Sequence, residues 1–417
     1  MSNDIFIAGI GMTTLGKRLK DSVKALTAEA VSEALADAGA SIPDIDAAWF
    51  SNTRQPMLEG QNTIRGQAAL RPLGFEGLPI ANVENACASG STALLQAIAY
   101  LRSGMADVAL VVGAEKMFFP DRPEKVAAAF LGGTDIYDLK ATVESARSLG
   151  ADVNEDTIRR RSIFMDIYAA LAQLHMTTFG TTQEDIARAA SKNHAASLFN
   201  PKAQYRTPMS VEQILADKPI IYPLTRSMCA PVSDGAAAAV VCTRTGLARM
   251  GVSLSRTVRI RACTLRSGTD HAPEEIEKRA GWMTARQAYS EAGVDPADVD
   301  LAEVHDASSF GEIQQIENLG LATPGTVGGR LRDGDFALGG RTPVNPSGGL
   351  VSKGHPVGAT GIAQLYELCL HLRGEAGPRQ VEGARIAVAE NGGGFLRGEE
   401  AACVVTVLEG PDRVRPR

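Results

Sequence analysis

Two stretches far apart in the chain match each other, and this constrains the fold more than any single motif does. Ala38-Gly39 followed by Asp44-Ile45-Asp46 recurs as Ala292-Gly293 followed by Asp298-Val299-Asp300, at a constant offset of 254 residues. Each copy follows a helical pattern and precedes a short apolar run. Further on, the small-residue loop Cys87-Ala88-Ser89-Gly90-Ser91 opens an Ala-rich apolar segment, and His355-Pro356-Val357-Gly358-Ala359 opens another. Helix, glycine and acidic turn are common enough for chance to supply the first match. A second match in the same order reads as internal duplication, with a cysteine and a histidine at corresponding helix starts.

The intervening pattern gives the class. Asp4 to Ile10 reads as a strand, Ser22 to Ala38 as an amphipathic helix stopped by Gly39, and Ala47 to Ser51 as a short strand. Ser91 to Leu101 reads as a buried helix, and Asp107 to Ala114 as an apolar run of strand length covered on both faces. Strand and helix alternate, so the class is α/β. Phe118 to about Ala230 has no counterpart. It holds charged helical patterns (Asn154 to Thr178, Gln183 to Ser197) and a polar loop (Asn200 to Thr207), and reads as an insertion over the mouth of a site. Ser233 to Val241 returns to core-strand character, and Val258 to Ala262 begins the second half. The expected division is residues 1–117 with 231–256, an insertion at 118–230, and a second half at 257–417.

With 417 residues, 44% hydrophobic, the chain can bury a large core. A net charge of −6 without a Lys/Arg block leaves no electrostatic footprint for nucleic acid or an anionic membrane, which favours small-molecule chemistry. The start Met1-Ser2-Asn3-Asp4 lacks the features of a signal peptide, and no apolar run approaches the ~20 residues that span a bilayer. A cytoplasmic location without membrane insertion is expected. Six cysteines (Cys87, Cys229, Cys242, Cys263, Cys369, Cys403) form no C-x-x-C pairs, which argues against a disulfide framework and a zinc site. No metal is expected.

Cys87 lies where a loop becomes a helix, among residues too small to shield it. A single cysteine is more often a small buried hydrophobe, but the N–H groups and dipole of a helix start favour the thiolate, the nucleophilic form. The run Glu303-Val304-His305-Asp306 places a histidine and an aspartate at the C-terminal end of an apolar strand, where ligands bind in open α/β sheets. Asn345-Pro346-Ser347-Gly348-Gly349-Leu350, continuing to Gly354 through Gly361, has the composition expected where backbone approaches a ligand closely. His175, His194, His271 and His371 have no comparable setting.

The loop Asn85 to Gly90, the segment Asn345 to Leu350 and the block Gly354 to Gly361 stand in the order of the thiolase signature motifs, and over nearly its whole length the chain resembles a thiolase. Val304-His305-Asp306, where many thiolases have Asn-Glu, is similar to the sterol-carrier-protein and archaeal branch. The resemblance implies the five-layered αβαβα thiolase fold with a loop domain, and cleavage or Claisen condensation of a 3-oxoacyl-CoA, of branched, aromatic or steroid-like type, through an acyl thioester. Cys87 would be the nucleophile, His355 its base, and His305 a donor to the enolate oxygen. The N–H groups of Cys87 and Gly392 would form the oxyanion hole. Coenzyme A is the implied co-substrate, with no tightly bound cofactor. A homodimer or dimer of dimers and a small OB-fold, zinc-ribbon partner are implied by resemblance alone. Two alternatives are a ketosynthase-like condensing enzyme, which shares a Cys-His-His set, and a degenerate subunit that binds CoA thioesters.

One departure stands out. The second cysteine of most thiolases, before the triple glycine or just after His-Asp, is replaced here by Glu390 and Ala307. Glu390 as acid/base, a role for His305 or water, and a different reaction are the competing explanations. The first requires burial to raise the glutamate above its ordinary value near ~4.3.

Overall fold

The computed structural model describes residues 4–160 and 162–411. Its strands are β1 (Ile5–Met12), β2 (Ala47–Ser51), β3 (Ile80–Val83), β4 (Val108–Glu115), β5 (Pro219–Ile221), β6 (Leu224–Thr225), β7 (Gly235–Thr243), β8 (Val258–Ser267), β9 (Leu301–Glu303), β10 (Ile386–Leu396) and β11 (Glu399–Glu409). Nine of them form one sheet in the order β3-β2-β4-β7-β1-β8-β11-β10-β9, and β5 and β6 form a separate ribbon.

Read outward from the β1–β8 junction, the two sides repeat. In the first, β1 and β7 are antiparallel, β7 and β4 antiparallel, and β4, β2 and β3 parallel. In the second, β8, β11 and β10 follow with the same directions, β9 is parallel to β10, and a parallel bridge from Ala302 to Val344 occupies the place of β3. The matched acidic residues do matched work. Asp46 Oδ2 accepts the N–H groups of Asp107 and Val108 at 2.9 and 2.8 Å. Asp300 Oδ2 accepts those of Arg385 and Ile386 at 2.7 and 2.9 Å. Ser41 with Asp44, and Asp295 with Asp298, close equivalent capping boxes. The duplication read from the sequence is therefore a repeat of topology.

Five layers follow from strand residues that alternate between two buried faces. On β4, Ala109 and Val111 join the central core while Val108, Leu110 and Val112 join an outer one; on β11, Ala402 and Val404 face inward and Cys403 and Val405 outward. Helix Val23–Ala38 covers the first outer face and helix Ala280–Ala292 the second. Between the sheet halves lie helices Ser89–Arg102 and Thr360–Arg373, whose Leu94, Ile98, Ile362 and Leu368 fill the centre, each side chain contributing about 1.5–3 kcal/mol. The two central helices start in contact. A Cβ at Gly361 would fall 2.4 Å from Ser91 Oγ, so only glycine lets them approach. The charged pattern expected as one helix over Asn154 to Thr178 is two, Glu155–Arg160 and Ile163–Phe179. Among the described residues no helix is long and apolar enough to cross a membrane.

Candidate active site

The meeting central helices bring Cys87 and His355 together, and the end of β9 delivers His305. Cys87 Sγ and one ring nitrogen from each histidine all lie within 4.8 Å of one another, and the imidazole centroids are 5.2 Å apart. The loop before the cysteine is tight. Ala86 holds a positive φ of 48°, and Ser89 Oγ accepts the Asn85 N–H at 2.8 Å.

The site opens on a cavity of about 770 Å³ whose wall is largely apolar, with Met117, Phe130, Phe164, Met165, Tyr168 and Phe395 prominent. Segment 118–230 supplies much of that wall, from Phe118 to Ala230.

Burial sets the protonation states. It pushes the Cys87 thiol up to about 11, although Arg54 and the hydrogen-bonded N–H of Gly394 pull the other way. Burial thus works against the thiolate that a helix start alone favours. His305 is lowered by burial to about 4, and neither of its ring nitrogens has a partner. His355 is held well below its ordinary value by burial, then by His305, Arg54 and Lys353. Both imidazoles are neutral at pH 7. The Nδ1 of His355 meets Thr360 Oγ1 at 2.7 Å, and that hydroxyl donates to the Pro356 carbonyl at 3.1 Å. The threonine therefore accepts from Nδ1–H, leaving Nε2 with its lone pair, the atom a general base uses.

Buried polar residues fix these loops. Glu115, at the end of β4, accepts the Thr53 hydroxyl (2.7 Å) and the N–H groups of Arg54 and Gly358 (both 2.9 Å). Ser233 Oγ accepts the His355 N–H at 2.9 Å. Asp306 accepts the Leu350 N–H at 2.6 Å, and Glu303 accepts the Ser347 hydroxyl and the Lys353 ammonium at 2.7 and 3.0 Å. The segment Asn345 to Leu350, expected to approach a ligand, is instead a fully buried frame; in this stretch Val351 is the first residue to reach the cavity.

The family models for the thiolase N-terminal domain and the thiolase C-terminal domain-like region match residues 5–221 and 267–406. The chain belongs to the thiolase family. Among its relatives, sterol carrier protein 2 of Oryctolagus cuniculus is 35% identical over 414 residues, covering 97% of this chain and 72% of that one. Acetyl-CoA acetyltransferase of Methanothermobacter thermautotrophicus is 36% identical over 395 residues, covering 94% and 96%. The fold is shared with the Ltp2-ChsH2(DUF35) aldolase, at TM-score 0.77, 23% identity and 99% of each chain. It is shared too with human mitochondrial 3-ketoacyl-CoA thiolase in complex with CoA, at TM-score 0.70, 17% identity and 98% of each chain. These relatives support thiolase-like acyl transfer as the general chemistry of this enzyme.

Where thiolases carry a second cysteine, this chain places neither replacement as a simple substitute. Glu390 has no exposed surface and spends Oε2 on the His305 N–H at 2.9 Å and Oε1 on the Cys403 thiol at 3.4 Å. Burial still raises it to about 7. Of the triple glycine, Gly393 and Gly394 line the cavity; Gly392 is packed against Glu400 and His305. A Cβ at Gly393 would fall 2.4 Å from the Asn85 carbonyl, so glycine lets this strand lie against the nucleophile loop. Sequence reasoning missed Thr360 and Ser233, whose type and spacing carry no signal. It missed Glu400 because Arg397-Gly398-Glu399-Glu400 reads as a solvated hairpin tip, whereas Glu400 is buried on the cavity wall.

Proposed function

We propose that this thiolase cleaves a 3-oxoacyl-CoA with coenzyme A, or runs the reverse Claisen condensation, through an acyl thioester on Cys87. The reading is carried by one observation, the convergence of the Cys87 sulfur and both imidazoles within 4.8 Å beside a largely apolar cavity of about 770 Å³. Because Cys87 rests as a thiol, its proton passes to His355 Nε2 as the sulfur attacks the carbonyl, so charge develops only in the presence of substrate. His305, neutral and with both ring nitrogens unpaired, offers an N–H to the thioester oxygen as the enolate forms. The Cys87 N–H and one from the triple-glycine turn would serve the acyl carbonyl. The Gly394 amide, already directed at the sulfur, is a stronger candidate for this than Gly392.

The apolar wall favours a bulky acyl group, and Lys17 and Arg226 on the same lining suit a phosphate-bearing substrate. The halves 1–117 with 231–256 and 257–417, with 118–230 as the part that selects substrate, belong to this proposal, as does a homo-oligomer. The name of the Ltp2-ChsH2(DUF35) aldolase, a similar chain paired with a second protein, favours a small partner subunit. It also keeps open a second reading, a chain that binds CoA thioesters within a complex. A screen of 3-oxoacyl-CoAs for CoA-dependent cleavage, with and without candidate partners, tests the proposal. Cleavage abolished by Cys87→Ala supports it, and cleavage that survives Cys87→Ala refutes the thioester route.

A further inference from the structure

Two carboxyl groups and a thiol meet beside His305. An oxygen each from Glu390 and Glu400 and the Cys403 sulfur lie within 4.8 Å of one another. Of these three side chains it is Glu400 that reaches the cavity wall carrying Cys87, His305 and Gly394. Glu390 is turned away, its oxygens taken by the His305 N–H and the Cys403 thiol. Glu400 pairs opposite Phe395 across the β10–β11 ladder, and its Oε1 is anchored by Gln315 Nε2 at 2.9 Å. A Cβ on Gly392 would fall 2.1 Å from that oxygen and 3.1 Å from His305 Nδ1. The glycine is what lets carboxyl and imidazole crowd the same side of β10.

We propose that Glu400 is the acid/base that moves the α-proton of the CoA thioester, replacing the second cysteine this thiolase lacks from a position no signature motif marks. The inference rests on the thioester route through Cys87. In the cleavage direction the Cys87 proton passes to His355 while sulfur bonds to the ketone carbon. The C2–C3 bond then breaks, its electron pair leaves as the enolate of the shorter acyl-CoA, and the enolate carbon takes the proton of the Glu400 carboxylic acid. The CoA thiol gives its proton to the Glu400 carboxylate as it attacks the thioester, and the departing Cys87 sulfur recovers its own proton from His355. Burial and the mutual repulsion of the two carboxyls keep a proton in this pair at neutral pH, which is the state cleavage needs first.

The test is α-hydrogen exchange of acetyl-CoA in deuterium oxide, followed by mass spectrometry, beside acylation of Cys87. Glu400→Gln should slow exchange by about 100-fold or more while Cys87 is still acylated by a 3-oxoacyl-CoA within a few-fold of wild type, because that acyl transfer precedes the Glu400 step; Glu390→Gln, which also loses the acceptor of the His305 N–H, should slow exchange less than Glu400→Gln does. Glu400→Ala, which opens space at the carboxyl, should regain exchange with added formate. Wild-type exchange in Glu400→Gln, or exchange slowed more by Glu390→Gln than by Glu400→Gln, overturns the assignment. Should Glu400→Gln fail to fold, a Glu400→Ala enzyme that acylates but gains nothing from formate overturns it equally. Failure of wild-type Cys87 to acylate would instead remove the thioester route. Exchange needs only a bound thioester and a base, so it reads Glu400 separately.

Discussion

The imidazole of His355 and the hydroxyl of Thr360 form a one-way hydrogen-bond chain. Nδ1–H donates to Oγ1 at 2.7 Å, and Oγ1–H donates to the Pro356 carbonyl at 3.1 Å. The chain fixes the tautomer that leaves the Nε2 lone pair free, so the base is set by a residue that does not line the cavity.

Thr360→Val keeps the shape and deletes the acceptor. It should lower kcat about 10- to 100-fold with KM little changed, and Thr360→Ser should retain most of the activity. Steady-state kinetics of both variants check this.

Burial holds the Cys87 thiol at about 11, so its alkylation by iodoacetamide should be slow at pH 7. The rate should climb about tenfold per pH unit through pH 9 and 10, because the thiolate fraction grows while the pH is below the pKa. A plateau already below pH 8 would indicate a resting thiolate–imidazolium pair.

The backbone of His355 depends on Ser233, whose Oγ accepts its N–H at 2.9 Å and donates to Gln204 Oε1 at 2.6 Å. Ser233→Ala strands a buried donor and should cost about 1–3 kcal/mol. Thermal unfolding would report the loss, together with slower acylation of Cys87.

These supports also show what a sequence can and cannot carry. The repeat at Asp46 and Asp300 was legible because a short side chain capping two N–H groups must stand at a fixed place in each half. Cys87, His305 and His355 were legible because small residues around a reactive group are unusual in a core. Glu400, Thr360 and Ser233 were not, since a carboxylate beside a hairpin, a threonine in a helix and a serine before a strand are commonplace. Their roles arise only from contacts between distant loops. The burial that opposes thiolate at Cys87 was illegible for the same reason, because a local helix start is visible in sequence and the enclosing cavity is not.

The helix behind His355 is tied down at its far end by Glu367, which receives Arg379 Nε and Nη2 at 2.5 and 3.0 Å and His371 Nε2 at 3.2 Å, all buried. Burial alone would raise this carboxyl, but its hydrogen bonds to His371 and Arg379 hold it down to about 2. Its contribution to stability is therefore fully present above the unfolded value near ~4.3 and lost as pH falls through about 2. Arg379→Met leaves that buried charge with only the His371 hydrogen bond and should destabilise the fold by about 3 kcal/mol, measured by denaturant unfolding at pH 7.

The most direct measurement is the mass of the Cys87 peptide after the enzyme is mixed with a 3-oxoacyl-CoA it cleaves and quenched in acid before CoA is added. One acyl group is expected on Cys87, lost in a parallel sample given CoA before the quench and absent from Cys87→Ala. An unmodified Cys87 peptide from enzyme that goes on to cleave the same substrate would contradict it.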